Sequence, residues 1–220
     1  MIRPDRKAGT AVRLAFATAV VAVALIVGGS PCAWPQETMT DEAAAQVNAD
    51  IEALASRIEA DPENIELRID IGNLYYENHM YDQAMESYMT AVEMDSTHAG
   101  AHLNLGSLYA DLGRYDKAIT ELQTALRLDP GNPMILSNLG SAYYAAQEFN
   151  KAVDSFRRAL ALDPGSVEAH FNLGVAFADA QIFDEAIREW QKVIELAPDS
   201  DAARTCRENI RMIEDFREGN

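Results

Sequence analysis

Small and apolar residues recur along this chain with a period of 34 residues, between about residue 65 and residue 200. Four glycines mark the period, each preceded by a bulky aliphatic residue and followed three residues later by an aromatic one: Gly72, Gly106, Gly140 and Gly174. An alanine lies twelve residues after every glycine, and a large apolar residue lies sixteen after it. A fixed period of this length indicates a stack of similar supersecondary units.

Within each period the apolar residues form two stripes at helical spacing, and each stripe predicts one amphipathic helix. In the third period the first stripe contains Leu136, Leu139 and Tyr143, and the second contains Val153 and Phe156. The repeated glycine and alanine allow two antiparallel helices to approach closely, because the interaxial distance depends on the side chains at the crossing. The sequence therefore predicts an all-α fold with four helix pairs, over residues 65–98, 99–132, 133–166 and 167–200.

Polar residues near the predicted helix starts indicate how the helices are capped. Four residues lie two positions before the repeated alanine and are predicted to be N-caps of the second helices: Asp82, Asp116, Asn150 and Asp184. The Asp-Pro-Gly turns that begin at Asp129 and Asp163 end a second helix. They leave Asn132 and Ser166 to cap the first helix that follows.

Further helices are predicted on both sides of the four pairs. Residues 34–64 are predicted to be a linker followed by a helix from Thr40 to about Ala60, equivalent to half a repeat. Residues 201–220 are predicted to be a final helix that places arginines on one side. Such a helix solvates the end of the stack, because a terminal repeat has no further neighbour.

Residues 1–33 have the composition of a targeting segment. Basic residues precede an uncharged stretch from Leu14 to Gly29, which is the order required of a signal peptide or a signal anchor. Extended to Trp34, the apolar stretch approaches the roughly 20 residues that span a bilayer, so cleavage and retention both remain open. Lipidation of Cys32 is a third possibility. In each case the remaining chain is predicted to be extracytoplasmic, periplasmic or secreted, with membrane contact only through residues 14–34.

Composition and charge exclude one class of partner. The chain of 220 residues has 18 Lys and Arg against 35 Asp and Glu, a formal net charge of −17, whereas nucleic-acid-binding proteins normally present a basic face. The hydrophobic fraction of 48% is sufficient for a packed core. Two cysteines are too few for a disulfide framework or a thiolate zinc site. We therefore expect no nucleic-acid partner. The acidic residues concentrated before residue 98 favour a protein partner that is neutral or basic.

The repeated positions resemble the tetratricopeptide repeat family, whose motif has an aliphatic–glycine pair, an aromatic, an alanine, a large apolar residue and a proline in this order. The resemblance covers residues 65–200 as four repeats. It implies an α-solenoid of antiparallel helix pairs, a superhelix, with a capping helix over residues 201–220. Two features depart from the motif. Ser96 replaces one proline, and the tryptophan often found four residues before the glycine is absent, its place being taken by Arg68, His102, Leu136 and His170.

Candidate chemistry in the sequence is sparse. No glycine-rich nucleotide loop, Gly-x-Ser-x-Gly elbow or His-Glu-x-x-His helix occurs. His98 and His102 would share a helix face if that helix began before His98, so a metal-binding or enzymatic module is the competing hypothesis. However, the Asp95-Ser96-Thr97 turn precedes them, and His102 shares a packing position with His170. The sequence therefore predicts a protein that is not an enzyme and requires neither cofactor nor metal.

The resemblance also implies a concave groove that is lined by the first helix of each repeat and binds segments of other proteins. In the family, groove residues lie two positions before the glycine and one, four and five after it. Carried over, these positions give the candidate site: Asp70, Asn73, Tyr76, Glu77, Asn104, Ser107, Asp111, Asn138, Ser141, Tyr144, Asn172 and Asp179. The ladder of Asn104, Asn138 and Asn172 offers amides that can donate to and accept from a peptide main chain; alternatively, these amides are structural.

These features predict a non-catalytic scaffold, exported from the cytoplasm, that binds a neutral or basic peptide or protein segment in the groove. The alternative is a membrane-tethered assembly factor or lipoprotein of an envelope complex, such as secretion, pilus or outer-membrane machinery. Homo-oligomerisation is open in both cases.

Overall fold

The computed structural model describes residues 41–218, and these residues form ten α-helices joined by short turns, without a β-strand. In chain order the helices are α1 Asp41–Ala60, α2 Ile65–Glu77, α3 Tyr81–Met94, α4 Ala99–Asp111, α5 Tyr115–Leu128, α6 Pro133–Ala145, α7 Phe149–Leu162, α8 Val167–Asp179, α9 Phe183–Leu196 and α10 Asp201–Glu218. Helices α2 to α9 form one pair per 34-residue period, so the predicted all-α fold of helix pairs is confirmed. The predicted targeting segment and most of the linker lie outside the described residues.

The described residues divide into two compact units, residues 41–142 and residues 143–218. In the first unit each of the helices α1 to α4 packs on the helix that follows it in the chain. In the second unit the same is true of α7, α8 and α9. Between residues 41 and 218, no helix is both long enough and apolar enough to cross a bilayer.

The repeated glycine allows the two helices of a pair to cross at short distance. A Cβ atom added to Gly72 would lie 2.6 Å from the ring of Tyr88, and one added to Gly106 would lie 2.7 Å from Leu122. At Gly174 the same atom would lie 2.4 Å from the indole nitrogen of Trp190. These distances are well inside van der Waals contact, so the close approach expected from the sequence is present in both units.

The turn within each pair contains a residue in the left-handed region, with φ between 59° and 70°. These residues are His79, Gly113, Gln147 and Gln181. The N–H of the next residue then donates to the carbonyl of the repeated aromatic in the first helix, for example Met80 to Tyr75 at 2.8 Å. This C-terminal motif satisfies a carbonyl that the helix leaves unpaired and reverses the chain within three residues.

The predicted N-caps of the second helices are wrong, because the tight turn places the helix start two residues earlier. The N-cap residues are Met80, Arg114, Glu148 and Ile182, and none makes a side-chain capping bond. The residues predicted as caps, Asp82, Asp116, Asn150 and Asp184, lie inside the first turn instead. The three carboxylates among them are favoured there by the helix dipole.

The predicted caps of the first helices are correct. The Ser166 hydroxyl accepts from the N–H of Ala169 at 3.2 Å, and the Asn132 side chain accepts from the N–H of Met134 at 3.0 Å. Pro133 is the first residue of α6, where its missing N–H is not needed. His98 caps α4 in the same way, through a 3.0 Å bond from the N–H of Ala101 to its Nδ1 atom.

The final helix, α10, packs one face and exposes the other. Its buried residues include Ala203, Cys206 and Ile213. The arginines expected on one side are all exposed: Arg204, Arg207, Arg211 and Arg217. Burial raises the pKa of the Cys206 thiol to about 12, so this cysteine is a packing residue rather than a nucleophile.

Candidate functional site

Side chains of the predicted groove in the first unit are hydrogen-bonded between successive first helices. The Asn104 amide donates from Nδ2 to Asn73 Oδ1 at 2.9 Å, and the Tyr88 hydroxyl donates to the same oxygen at 2.7 Å. Asn138 donates from Nδ2 to the Ser107 hydroxyl at 2.8 Å, and Ser107 donates to a main-chain carbonyl of its own helix. The polar ladder is therefore fixed laterally, from each repeat to the one before it.

These bonds leave hydrogen-bonding capacity on the asparagines. The structure records one bond from the Asn104 side chain and one from the Asn138 side chain, each using a single N–H. An amide has two donors and two acceptor lone pairs. Both side chains are half-buried, so each remains partly accessible to solvent. The structural and the binding interpretations of the ladder are therefore compatible.

Four other groove residues form two tyrosine–aspartate pairs. The Tyr76 hydroxyl donates to Asp111 Oδ2 in the first unit, and the Tyr144 hydroxyl donates to Asp179 Oδ2 in the second. Each pair joins the first helices of neighbouring repeats. Burial raises the pKa of Asp111 to about 6 and that of Asp179 above its ordinary value, and the tyrosine bond opposes the shift in each case.

The remaining candidate residues differ in their exposure. Asp70 and Glu77 are exposed on α2. In contrast, Ser141 is buried, and Asn172 on α8 has an exposed fraction of 0%. Apart from Ser141, the candidates of the first unit are therefore half-buried or exposed, whereas the side chains of Ser141 and Asn172 lie inside the protein.

Two aromatic residues outside the candidate set lie beside the tyrosines. The ring centroids of Tyr76 and Tyr81 are 6.0 Å apart, and those of Tyr144 and Phe149 are 5.5 Å apart. Tyr81 and Phe149 are the first residues of α3 and α7, nine positions after the repeated glycine. The aromatic character of this position in all four repeats was the available sequence signal, and the groove positions carried over from the family do not include it.

The histidines proposed for the competing metal-binding hypothesis have other partners. His98 caps α4 through Nδ1, and its Nε2 atom lies 3.1 Å from Glu66. His102 Nδ1 lies 2.7 Å from Glu121, and its Nε2 lies 3.1 Å from the Ser96 carbonyl. In residues 41–218, no group of three or more His, Cys, Asp or Glu side chains is arranged to hold a metal ion.

His170 in the second unit has the same environment as His102. Its Nδ1 atom lies 2.6 Å from Glu189 and its Nε2 atom lies 3.2 Å from the Pro164 carbonyl. A carboxylate and a carbonyl are both acceptors, so both ring nitrogens are favoured as donors. The bond to Glu189 accordingly raises the pKa of His170, against the opposing effect of burial. This contact links the two helices of one pair and stabilises the repeat.

Comparison with known proteins gives matches by family and by structure. A family model described as TPR repeat matches residues 72–113 and 106–147, and one described as tetratricopeptide repeat matches residues 137–202. A search of curated proteins gives no match.

Solved structures resemble the chain over most of its length. MamA is 27% identical with a TM-score of 0.63, and the match covers 70% of this chain and 91% of MamA. YrrB, described as a TPR protein with an unusual peptide-binding site, is 27% identical with a TM-score of 0.60, covering 74% of this chain and 90% of YrrB. A thermophilic TPR protein of Thermus thermophilus is 21% identical with a TM-score of 0.66, covering 77% and 93%, and supports the fold alone.

Proposed function

Because this chain belongs to the tetratricopeptide repeat family, we propose that it is a non-catalytic scaffold that binds a peptide or protein segment along the first helices of its repeats. The family and its solved relatives support the broader role of a protein–protein interaction scaffold. The peptide-binding site described for YrrB supports the narrower proposal that the ligand is a peptide segment.

The observation that carries the proposal is the pair of half-buried, laterally bonded asparagines, Asn104 and Asn138. Each amide is held by a bond to the preceding repeat, has further hydrogen-bonding capacity, and belongs to a side chain that is partly accessible to solvent. A side chain fixed in advance loses little conformational entropy on binding. Such amides bind a peptide main chain irrespective of its side chains, which suits a scaffold that recognises an extended segment.

The charge of the accessible face defines the partner. Asp70 and Glu77 are exposed on α2, and no Lys or Arg of residues 41–218 forms an ion pair with either. Basic residues are few before residue 98, where acidic residues predominate. A neutral or basic segment is therefore attracted to this face, and an acidic segment is repelled.

The proposed location is outside the cytoplasm. The basic leader and apolar stretch within residues 1–33 favour export. The same stretch favours a second candidate, a scaffold that remains tethered to the membrane and assembles an envelope complex. N-terminal sequencing of the protein recovered from cell fractions distinguishes the two: a start near residue 34 supports release, an intact apolar stretch supports the tether, and a cytoplasmic full-length chain rejects both.

Site-specific photocrosslinking tests the binding face. A photoreactive residue replaces Asp70 or Glu77 on α2 in the full chain, and for comparison replaces Glu86 or Thr120 on the exposed surface of α3 or α5. We expect crosslinks to a partner from the α2 positions only. In a second arm, the double variant Asn104→Ala with Asn138→Ala, checked for unchanged helicity, is expected to lose the crosslink. Equal crosslinking from all four positions would reject the first-helix face.

A further inference from the structure

Each unit contains one cluster in which a tyrosine joins an aromatic ring to a carboxylate, and we name these clusters the aromatic–carboxylate corners. The first corner consists of Tyr76, Tyr81 and Asp111, and the second consists of Tyr144, Phe149 and Asp179. In both, the tyrosine hydroxyl donates to one carboxylate oxygen, and the tyrosine ring lies against the aromatic residue that begins the second helix.

The carboxylates of the corners lack a cationic partner in the described part of the chain. No Lys or Arg of residues 41–218 forms an ion pair with Asp111 or Asp179, although ion pairs are common on neighbouring helices. Both carboxylates are half-buried, so solvation of their charge is incomplete. A group in this state gains more from a nearby cation than a fully exposed carboxylate does.

Within residues 41–218, no Lys or Arg lies over the aromatic rings of the corners, whereas several other rings have such a cation. Lys117 lies 5.3 Å from the ring centre of Tyr109, Lys151 lies 5.1 Å from that of Tyr143, and Arg157 lies 5.5 Å from that of Phe177. These three rings belong to the aromatic residues that lie three positions after the repeated glycine in repeats 2, 3 and 4. Phe149, by comparison, is 45% exposed and contacts the corner tyrosine through its edge.

The chain provides an internal example of an arginine bound by an aromatic residue and a carboxylate together. Phe183 is the first residue of α9, at the repeat position of Tyr81 and Phe149. Arg217 of α10 lies 5.9 Å from the Phe183 ring centre, and its Nη2 atom donates to Asp184 Oδ1 at 2.8 Å. In this pair the guanidinium covers the ring while it bonds the carboxylate, which is a favoured arrangement for arginine.

We propose that each aromatic–carboxylate corner binds an arginine side chain of a basic partner segment. The guanidinium donates to the carboxylate oxygen that the tyrosine does not use, and its planar face and stem pack on the ring of Tyr81 or Phe149. The proposal rests on the proposed function, since it names the chemistry of the segment that the scaffold binds. Lysine binds less well, because its ammonium group neither stacks on a ring nor bonds in two places.

Nuclear magnetic resonance titration of the full chain tests this proposal. The probe is a short glycine–serine peptide with one arginine, and the matched probe has citrulline, which is neutral and nearly isosteric. The test variant is Asp111→Asn with Asp179→Asn, because asparagine still accepts the tyrosine hydrogen bond. The control variant is Asp116→Asn with Asp154→Asn, which removes the same charge from exposed positions on α5 and α7.

For the wild type we expect amide shifts around both corners with the arginine probe, and binding about tenfold weaker with citrulline. The test variant should also weaken arginine binding about tenfold, and the control variant should change it less than about twofold. Equal binding of the two probes, equal loss in both variants, or no binding at all would overturn the proposal. A partner that still crosslinks to α2 in that case would keep the scaffold function and reject only the corners.

Discussion

Repeat 2, formed by α4 and α5, and repeat 4, formed by α8 and α9, follow the same motif but differ in what their first helices expose. In α8 every residue from Phe171 to Ala178 is buried, including Asn172. In α4 the equivalent Asn104 is half-buried and bonded to the preceding repeat. The residue one position after the glycine changes from Ser107 to Val175, which has an exposed fraction of 2%.

The comparison separates two properties of a repeat. The motif residues determine where two helices cross, and this crossing is equally close in both repeats. Positions outside the core motif determine whether the first helix presents polar groups or apolar ones. α4 therefore presents polar side chains that α8 does not, even though the two helices have the same length and begin at equivalent residues.

The largest expected effect is that of a methyl group at the helix crossing. Gly174→Ala should lower the free energy of unfolding by about 3 kcal/mol, because the Trp190 indole is fully buried and bonds the Phe171 carbonyl, and so has no room to move. Gly106→Ala should cost about 1 to 2 kcal/mol, since Leu122 can change rotamer. Urea unfolding followed by circular dichroism measures both.

The control for the crossing is Gly131→Ala, where the nearest atom to an added Cβ lies at 4.0 Å. This variant should remain within about 0.5 kcal/mol of the wild type. If Gly174→Ala were as stable as this control, the close approach of α8 and α9 would be wrong.

Removal of the buried charge in repeat 2 should stabilise the protein. Burial raises the pKa of Asp111 from 3.8 to about 6, so the folded state binds more protons than the unfolded state between these values. Stability therefore falls as the pH rises through this window, and Asp111→Asn should recover about 1 kcal/mol at pH 7, a value reduced for solvent screening. Urea midpoints across the window measure the effect; parallel curves for variant and wild type would contradict it.

Asp179→Asn is the matched change in repeat 4. Burial also raises the pKa of Asp179, so the same sign is expected there. If only one of the two variants, Asp111→Asn or Asp179→Asn, increased the free energy of unfolding, the two tyrosine–aspartate pairs would not be equivalent.

The histidine–glutamate contact gives a smaller pH effect of defined sign. The pKa of His170 is raised by Glu189, so the stability that this contact contributes is complete below the ordinary value of 6.5 and is lost as the pH rises through the folded pKa. Glu189→Gln should reduce stability at pH 6 by less than about 1 kcal/mol and flatten the decline above it. Thermal unfolding across this range measures both changes.

Glu121→Gln removes the equivalent bond to His102 in repeat 2. A loss of stability is expected because the two rings have matching hydrogen-bond partners on both nitrogens. An unchanged unfolding temperature in both variants would show that neither contact stabilises its repeat.

The smallest effect is expected in the turn between the two helices. Repeat 4 has Gln181 at φ 59° where repeat 2 has Gly113 at φ 70°. Gln181→Gly should gain roughly 0.5 kcal/mol and Gly113→Gln should lose about 1 kcal/mol, because a side chain is disfavoured in the left-handed region. The midpoints of chemical unfolding of the two variants should therefore shift in opposite directions. Shifts in the same direction would contradict a cost of the side chain in the left-handed region.

The period of the sequence was sufficient to predict the helix pairs, the close crossing at Gly72, Gly106 and Gly174, and the caps at Asn132 and Ser166. The period was insufficient to predict the N-caps of the second helices. Three of the four left-handed turn residues that precede these helices are His79, Gln147 and Gln181, and residues of these types do not indicate a turn in a sequence. A left-handed conformation at such residues is imposed by the surrounding structure rather than by local preference.

The sequence predicted which positions belong to the candidate site, but it did not predict which of their side chains contact each other. Tyr76 and Asp111 are 35 residues apart, and their bond depends on the register between two repeats, which no local pattern encodes. Likewise, the burial of Asn172 depends on what packs around α8. Binding of a partner by the groove residues stays a prediction.

The tyrosine–aspartate and histidine–glutamate contacts recur only in every second repeat. Tyr76 pairs with Asp111 and Tyr144 with Asp179, while the intervening tyrosine position is occupied by Ala110. The modular unit of this array is therefore two repeats rather than one. Lengthening or shortening the array by an even number of repeats would preserve every such pair, whereas a single inserted repeat would set a carboxylate opposite an alanine.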